Sequence, residues 1–167
     1  MKSILTSILL FFISGYFNNV RAQTYYVEPI IEDFFCRNGI FIDSCSYDAL
    51  YNEAFEWIET PYNYAGNSKK GIDCSGLVKK LYEKIYNMQL EGGSRTIFEQ
   101  VIPIKNREDL KEGDLVFFKI RQHQISHVGL YLQDGNFIHA SVRSGVIISN
   151  LSEEYYNKYY FSGGRFP

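Results

Sequence analysis

The chain has 167 residues, 46% hydrophobic, 17% aromatic and 22% charged, with a formal charge of −2 at pH 7. This length argues for one domain, and the apolar content is too high for a disordered chain. With no basic excess there is no footprint of a general nucleic-acid binder. The aromatic share, mostly Tyr and Phe, can fill a core and still line a groove for a flexible ligand.

Residues 1–22 carry the pattern of an export signal. Lys2 supplies a short positive start, residues 4–17 are largely apolar, and Val20-Arg21-Ala22 offers a cleavage site before Gln23. The apolar run is about 14 residues, short of the roughly 20 needed to cross a bilayer, so removal is expected rather than a stable membrane anchor. The expected location is periplasmic or extracellular. Losing Lys2 and Arg21 would move the formal charge from −2 to about −4.

Residues 23–57 form an N-terminal extension. Tyr25, Tyr26, Val27, Ile30, Ile31, Phe34 and Phe35 make its first part too apolar for a tail and too short for a domain. It is expected to wrap over the main domain, 58–167. Cys36 and Cys45 bracket a turn-like Arg37-Asn38-Gly39 and suit one disulfide in an exported chain; the alternative is two unpaired thiols. Ser46 is in position to cap a helix running to about residue 60, with Leu50, Ala54, Trp57 and Ile58 on one face and Pro61 beyond it.

Residues 62–71 are a Gly- and Asn-rich loop, with Lys69 and Lys70 expected in solvent. The loop delivers the chain to Gly71-Ile72-Asp73-Cys74-Ser75-Gly76-Leu77. From Cys74, apolar residues at Leu77, Val78, Leu81 and Ile85 mark one buried helical face. Cys74 thus stands at a helix start, where unpaired N–H groups and the helix dipole favour a thiolate. The expectation is a depressed thiol pKa and a nucleophile; the plainer reading is a buried structural cysteine.

Beyond this helix, residues 91–94 break the pattern and residues 96–100 suit a short helix. Arg95 reads as a carboxylate ligand or a surface ion-pair partner. Gly113-Asp114 turns into an apolar strand at 115–118. Two histidine-bearing strands follow at 127–132 and 137–140, then a strand at 145–149, a helical turn at 153–160 and a last strand at 161–166. A helical half followed by consecutive strands reads as α+β, with the nucleophile helix packed on an antiparallel sheet.

A cysteine nucleophile needs a base. His127 is placed to take the Cys74 proton and His139 to orient the His127 ring, while His123 lies in a polar stretch and reads as solvated. Cooperation requires both rings on one sheet face. A two-residue turn at Asp134-Gly135 would pair Leu130 with His139 and put them on opposite faces, so an odd loop or a bulge is expected.

Six ordered segments then resemble the NlpC/P60 family of papain-like cell-wall cysteine peptidases over residues 58–167. They are Tyr62-Asn63-Tyr64-Ala65-Gly66, Asp73-Cys74-Ser75-Gly76-Leu77, residues 95–100, Gly113-Asp114-Leu115-Val116-Phe117-Phe118, His127-Val128-Gly129 and Phe137-Ile138-His139-Ala140. The resemblance implies a catalytic Cys74, His127 and His139. It implies that Tyr62 supports the oxyanion and that Asp73 helps hold a substrate amine; Ser75 and Arg95 complete the candidate oxyanion and substrate-binding residues. One departure is Ala65, where the family usually has the first of two glycines. The implied substrate is the peptidoglycan stem peptide, at the γ-D-glutamyl–meso-diaminopimelate bond, cut by a monomer without cofactor. An amidase or acyltransferase using the same Cys-His pair is the alternative, since both share the acyl-enzyme. A silent binding domain would have lost the cysteine or the base, and though His123 and His127 have a zinc-compatible spacing, no second Cys or His pair lies nearby.

Overall fold

The computed structural model describes residues 26–44, 46–120 and 123–167. The export-type segment 1–22, the first residues of the extension and Cys45 lie outside the described residues. In chain order the elements are α1 (Pro29–Arg37), α2 (Asp48–Trp57), the two-residue strands β1 (Asn67–Ser68) and β2 (Gly71–Ile72), α3 (Cys74–Tyr86), α4 (Ser94–Phe98), β3 (Ile102–Ile104), β4 (Leu115–Phe118), β5 (His127–Tyr131), β6 (Asn136–Ser141), β7 (Gly145–Asn150), α5 (Glu154–Tyr159) and β8 (Tyr160–Arg165). The fold is α+β. Strands pair antiparallel in the order β3-β8-β4-β5-β6-β7.

The sheet is covered on both faces, which is why β4 reads as an unbroken apolar run, Leu-Val-Phe-Phe. Leu115, Phe117, Val128, Leu130, Ile138 and Ala140 face a core shared with Leu77, Val78 and Leu81 of α3 and Leu50, Tyr51 and Ala54 of α2. The alternate residues Val116, Phe118, Tyr131 and Phe137 pack on the other face with Leu110 and Leu151, under Tyr156 and Tyr159 of α5. Val27, Ile31, Phe35 and Ile40 belong to the first core, with the Phe35 ring edge-on to Tyr51 at 5.0 Å.

Three local details differ from the sequence expectations. The helix after residue 46 starts at Asp48, and Ser46 turns back to Asp43 instead of capping it, accepting from the Asp43 amide at 3.0 Å. Lys69 is not simply solvated: its ammonium lies 4.0 Å over the Trp57 ring and donates to the Glu56 carbonyl. The short pairs β1–β2 and β3–β8 carry no strong sequence signal, being two and three residues long with Pro103 in β3.

Candidate active site

The start of α3 is built by its own cap. Asp73 Oδ1 accepts from the Gly76 amide at 2.6 Å and from Ser75 Oγ at 2.9 Å, and Oδ2 accepts from the Ala65 amide at 3.0 Å. This cap fixes the helix start and ties it to the loop before β1. The loop itself approaches very closely: a Cβ on Gly76 would lie 2.4 Å from the Gly66 carbonyl oxygen. Ala65 holds a left-handed φ of +56°, a conformation that costs a residue with a Cβ and suits glycine. Tyr62 is delivered to this point by a backbone bridge to Ile72, two residues before Cys74. Pro61 and Asn63 bracket the bridge, exchanging backbone hydrogen bonds with Ile72 at 3.0 and 3.1 Å.

Cys74 is the first residue of α3 and is only partly accessible. Backbone amides of Val128, Ser75 and Cys74 itself face the sulfur and favour its thiolate. Burial and the Asp73 carboxylate oppose them and win, pushing the thiol up to about 11. The expected depression of this pKa is therefore reversed in the resting protein, because a helix start embedded in a core desolvates the charge it would otherwise stabilise. The Val128 contact also locates the sulfur: it faces β5 one residue away from His127.

His127 opens β5, and His139 lies in β6. The observed pairs are Leu130 with Ile138 and Tyr131 with Phe137, which place both histidines on one sheet face. The turn explains the register. Gln133 O accepts from Asn136 N at 2.8 Å across Asp134 and Gly135, both at positive φ, as in a two-residue hairpin. Asn136 O then accepts from Leu132 N at 2.9 Å, so one residue on the β5 side is extra and parity shifts. Gly129 is opposite His139, and a Cβ there would lie 2.7 Å from the Phe137 ring and 3.2 Å from His139 Cβ. That vacancy lets the rings close the diagonal: His127 Nε2 lies 3.0 Å from His139 Nδ1, with the rings nearly perpendicular at 87°.

Both histidines are buried, 9% and 1% exposed. Burial pulls His127 down to about 4, with Asp73 pulling weakly the other way. His139 also lies well below its ordinary value, through burial and then the neighbouring His127. At neutral pH the arrangement is thus a neutral thiol beside a neutral imidazole pair. The His127 contact with His139 uses Nε2, so Nδ1 is the ring nitrogen outside that contact.

Two residues around His139 were not singled out from sequence. Its Nε2 lies 3.2 Å from Ser149 Oγ in β7 and 3.1 Å from the Tyr156 hydroxyl in α5. Neither carries a local signal, since a Ser in a strand and a Tyr in a short helix are ordinary residues. Arg95 is exposed on α4, and its guanidinium donates to the Gln124 side chain. His123 is exposed, as expected. Cys36 is exposed on α1 and carries no bridge to another described residue. Among the described residues no cluster of three His, Cys, Asp or Glu could hold a metal ion, and no helix is long and apolar enough to cross a membrane.

The sequence model of the NlpC/P60 family matches residues 59–165. A probable endopeptidase of Haemophilus influenzae is 39% identical over 112 residues, covering 65% of this chain and 68% of that protein. The murein DD-endopeptidase MepS/murein LD-carboxypeptidase of Escherichia coli is 39% identical over 113 residues, covering 66% of this chain and 58% of that one. Among solved structures, an NlpC/P60 family protein from Bacillus cereus superposes with a TM-score of 0.66 at 29% identity, over 74% of this chain and 42% of that chain. The chain thus spans about two thirds or less of the length of these relatives.

Proposed function

This chain belongs to the NlpC/P60 family, and from that premise we propose that it is an exported cysteine endopeptidase that hydrolyses peptidoglycan stem peptides. The observation that carries the reading is the 3.0 Å contact between His127 and His139 beside a cysteine at a helix start. Cys74 is the nucleophile, His127 its general base and later acid, and His139 the group that orients His127.

The chemistry follows from the resting charges. With the thiol pushed up to about 11 and His127 pulled down to about 4, no ion pair forms in advance. The proton moves from sulfur to His127 Nδ1 as the thiol attacks the scissile carbonyl, and the oxyanion gathers at the amide end of α3 with support from Tyr62. The tetrahedral centre then collapses to a thioester on Cys74 while His127 returns the proton to the departing amine. Water, deprotonated by the same imidazole, releases the acid product.

The bond we assign is γ-D-glutamyl–meso-diaminopimelate. Asp73 supports that register. Its Oδ1 is occupied by two donors but Oδ2 by one, so an acceptor position remains for the free amine of L-alanine. A second reading comes from the E. coli relative, whose name gives a DD-endopeptidase and LD-carboxypeptidase. In an oxidising compartment the reading also includes a Cys36–Cys45 bridge. The test incubates the protein with L-Ala-γ-D-Glu-meso-diaminopimelate, with its N-acetylated form and with a D-Ala–diaminopimelate cross-linked dimer, and weighs the products. Release of L-Ala-D-Glu, faster from the free amine, is the expected result. Cleavage of the dimer alone establishes the second reading, and a stable acyl transfer without hydrolysis establishes an acyltransferase.

A further inference from the structure

The hydrogen-bond chain does not stop at His139. Its Nδ1 faces His127, and its other nitrogen, Nε2, lies in a buried corner formed by Ser149 Oγ at 3.2 Å and the Tyr156 hydroxyl at 3.1 Å. The Tyr156 ring is pinned edge-on against Phe137 at 5.0 Å and against His139 at 5.1 Å, so its hydroxyl is held in place. Ser149 is 6% exposed.

Two proton arrangements are open to an imidazole pair in this geometry. In one, His139 carries its proton on Nε2, its Nδ1 lone pair accepts from His127 Nε2–H, and His127 Nδ1 is left as a base. In the other, His139 Nδ1–H donates to His127 Nε2, which puts the His127 proton on Nδ1, where it blocks transfer from the thiol. What faces His139 Nε2 decides between them. Two hydroxyl oxygens, at 3.2 and 3.1 Å, offer lone pairs to an N–H on Nε2, which the two can share.

We propose that Ser149 and Tyr156 are positioning residues that hold His139 in its Nε2–H tautomer, and so keep His127 Nδ1 unprotonated for the reaction. The proposal deepens the peptidase reading and rests on it for its kinetic consequence alone. Neither residue touches substrate; both act through His139. Their placement on β7 and α5 makes the short helix between the last two strands part of the machinery, though it lies on the sheet face opposite α3.

The test has a readout that needs no substrate. Two-bond proton–nitrogen correlation spectra of protein labelled with 15N-histidine distinguish the tautomers of His127 and His139. The wild-type protein should show His139 as Nε2–H and His127 as Nε2–H. In the Ser149→Ala/Tyr156→Phe double variant, whose Phe keeps the ring packing, His139 should shift to Nδ1–H or to a mixture. Stem-peptide kcat should then fall about tenfold with KM within about twofold, since tautomer control by a directly bonded partner is worth up to about 10⁴ and this acts one bond further out. Ser149→Thr with Tyr156 intact, which keeps both hydroxyls, should keep the wild-type tautomer and kcat. A wild-type His139 found as Nδ1–H, or a double variant with unchanged tautomer and kcat, overturns the proposal. If wild-type protein cleaves no stem peptide, the peptidase reading fails while the spectra still decide this one.

Discussion

Asp73 shows how one side chain serves the site in opposing ways. It caps α3 and ties the helix start to the loop at Ala65, yet its charge raises the thiol pKa of Cys74 and the pKa of His127. Asp73→Asn keeps a capping oxygen and removes the charge. The thiol of that variant should ionise at lower pH than in wild type, measured by thiolate absorbance against pH, whereas an unchanged titration would contradict the electrostatic role. The same pKa order governs alkylation. The iodoacetamide rate at Cys74 should climb through pH 8 and above without a plateau near pH 6; an early plateau would reveal a preformed thiolate–imidazolium pair. Ala65, exposed at positive φ, carries a backbone cost of about 1 kcal/mol. Ala65→Gly should therefore raise stability by at most about that amount in urea unfolding, offset in part by the entropy of the freer unfolded chain.

At the scale of elements, the meeting of α3 with β5 and β6 makes the site, and glycines mark where backbones must approach. Gly129→Ala places a methyl group against Phe137 and His139. Activity should fall more steeply than stability, with the His127–His139 coupling lost in histidine spectra; a variant with full activity would show that the diagonal contact is dispensable. Much of this layer was legible in the sequence. The period of Leu77, Val78, Leu81 and Ile85 announced α3, and the parity of His127 and His139 demanded the bulged turn at Asp134-Gly135 that β5 and β6 use. Less was legible where the signal is a distance and not a pattern. Ser149 and Tyr156 meet His139 from 10 and 17 residues away, and no spacing rule connects a strand serine to a helical tyrosine. The sign of the Cys74 shift was missed for a related reason. The helix start can be read from sequence, but the burial that outweighs it exists only once the sheet has closed.

Over the whole molecule, two features tie stability to the site. The last strand is clamped by Arg165, which makes two 2.7 Å bonds to Asp114, a carboxylate only 3% exposed at the turn into β4. Arg165→Ala leaves that carboxylate buried without its counter-charge, held only by the Lys111 amide, and should cost about 3 kcal/mol in urea unfolding. The buried histidines make stability depend on pH. His127 is depressed from 6.5 to about 4 on folding, so between those values the unfolded chain binds a proton that the folded chain refuses. Its contribution is complete above pH 6.5 and lost as pH falls toward 4, about 3 kcal/mol for this residue alone. The urea midpoint should drop over that window, and His127→Gln should flatten the drop.

The central claim, that Cys74 forms an acyl bond with a stem peptide, is tested most directly by acid-quenched mass spectrometry. Protein mixed with L-Ala-γ-D-Glu-meso-diaminopimelate is quenched within the first turnovers and digested, and the peptide carrying Cys74 is weighed. The account predicts an L-alanyl-γ-D-glutamyl thioester on that peptide, and none, with no product, from folded Cys74→Ala. Product released at an undiminished rate by Cys74→Ala would contradict it.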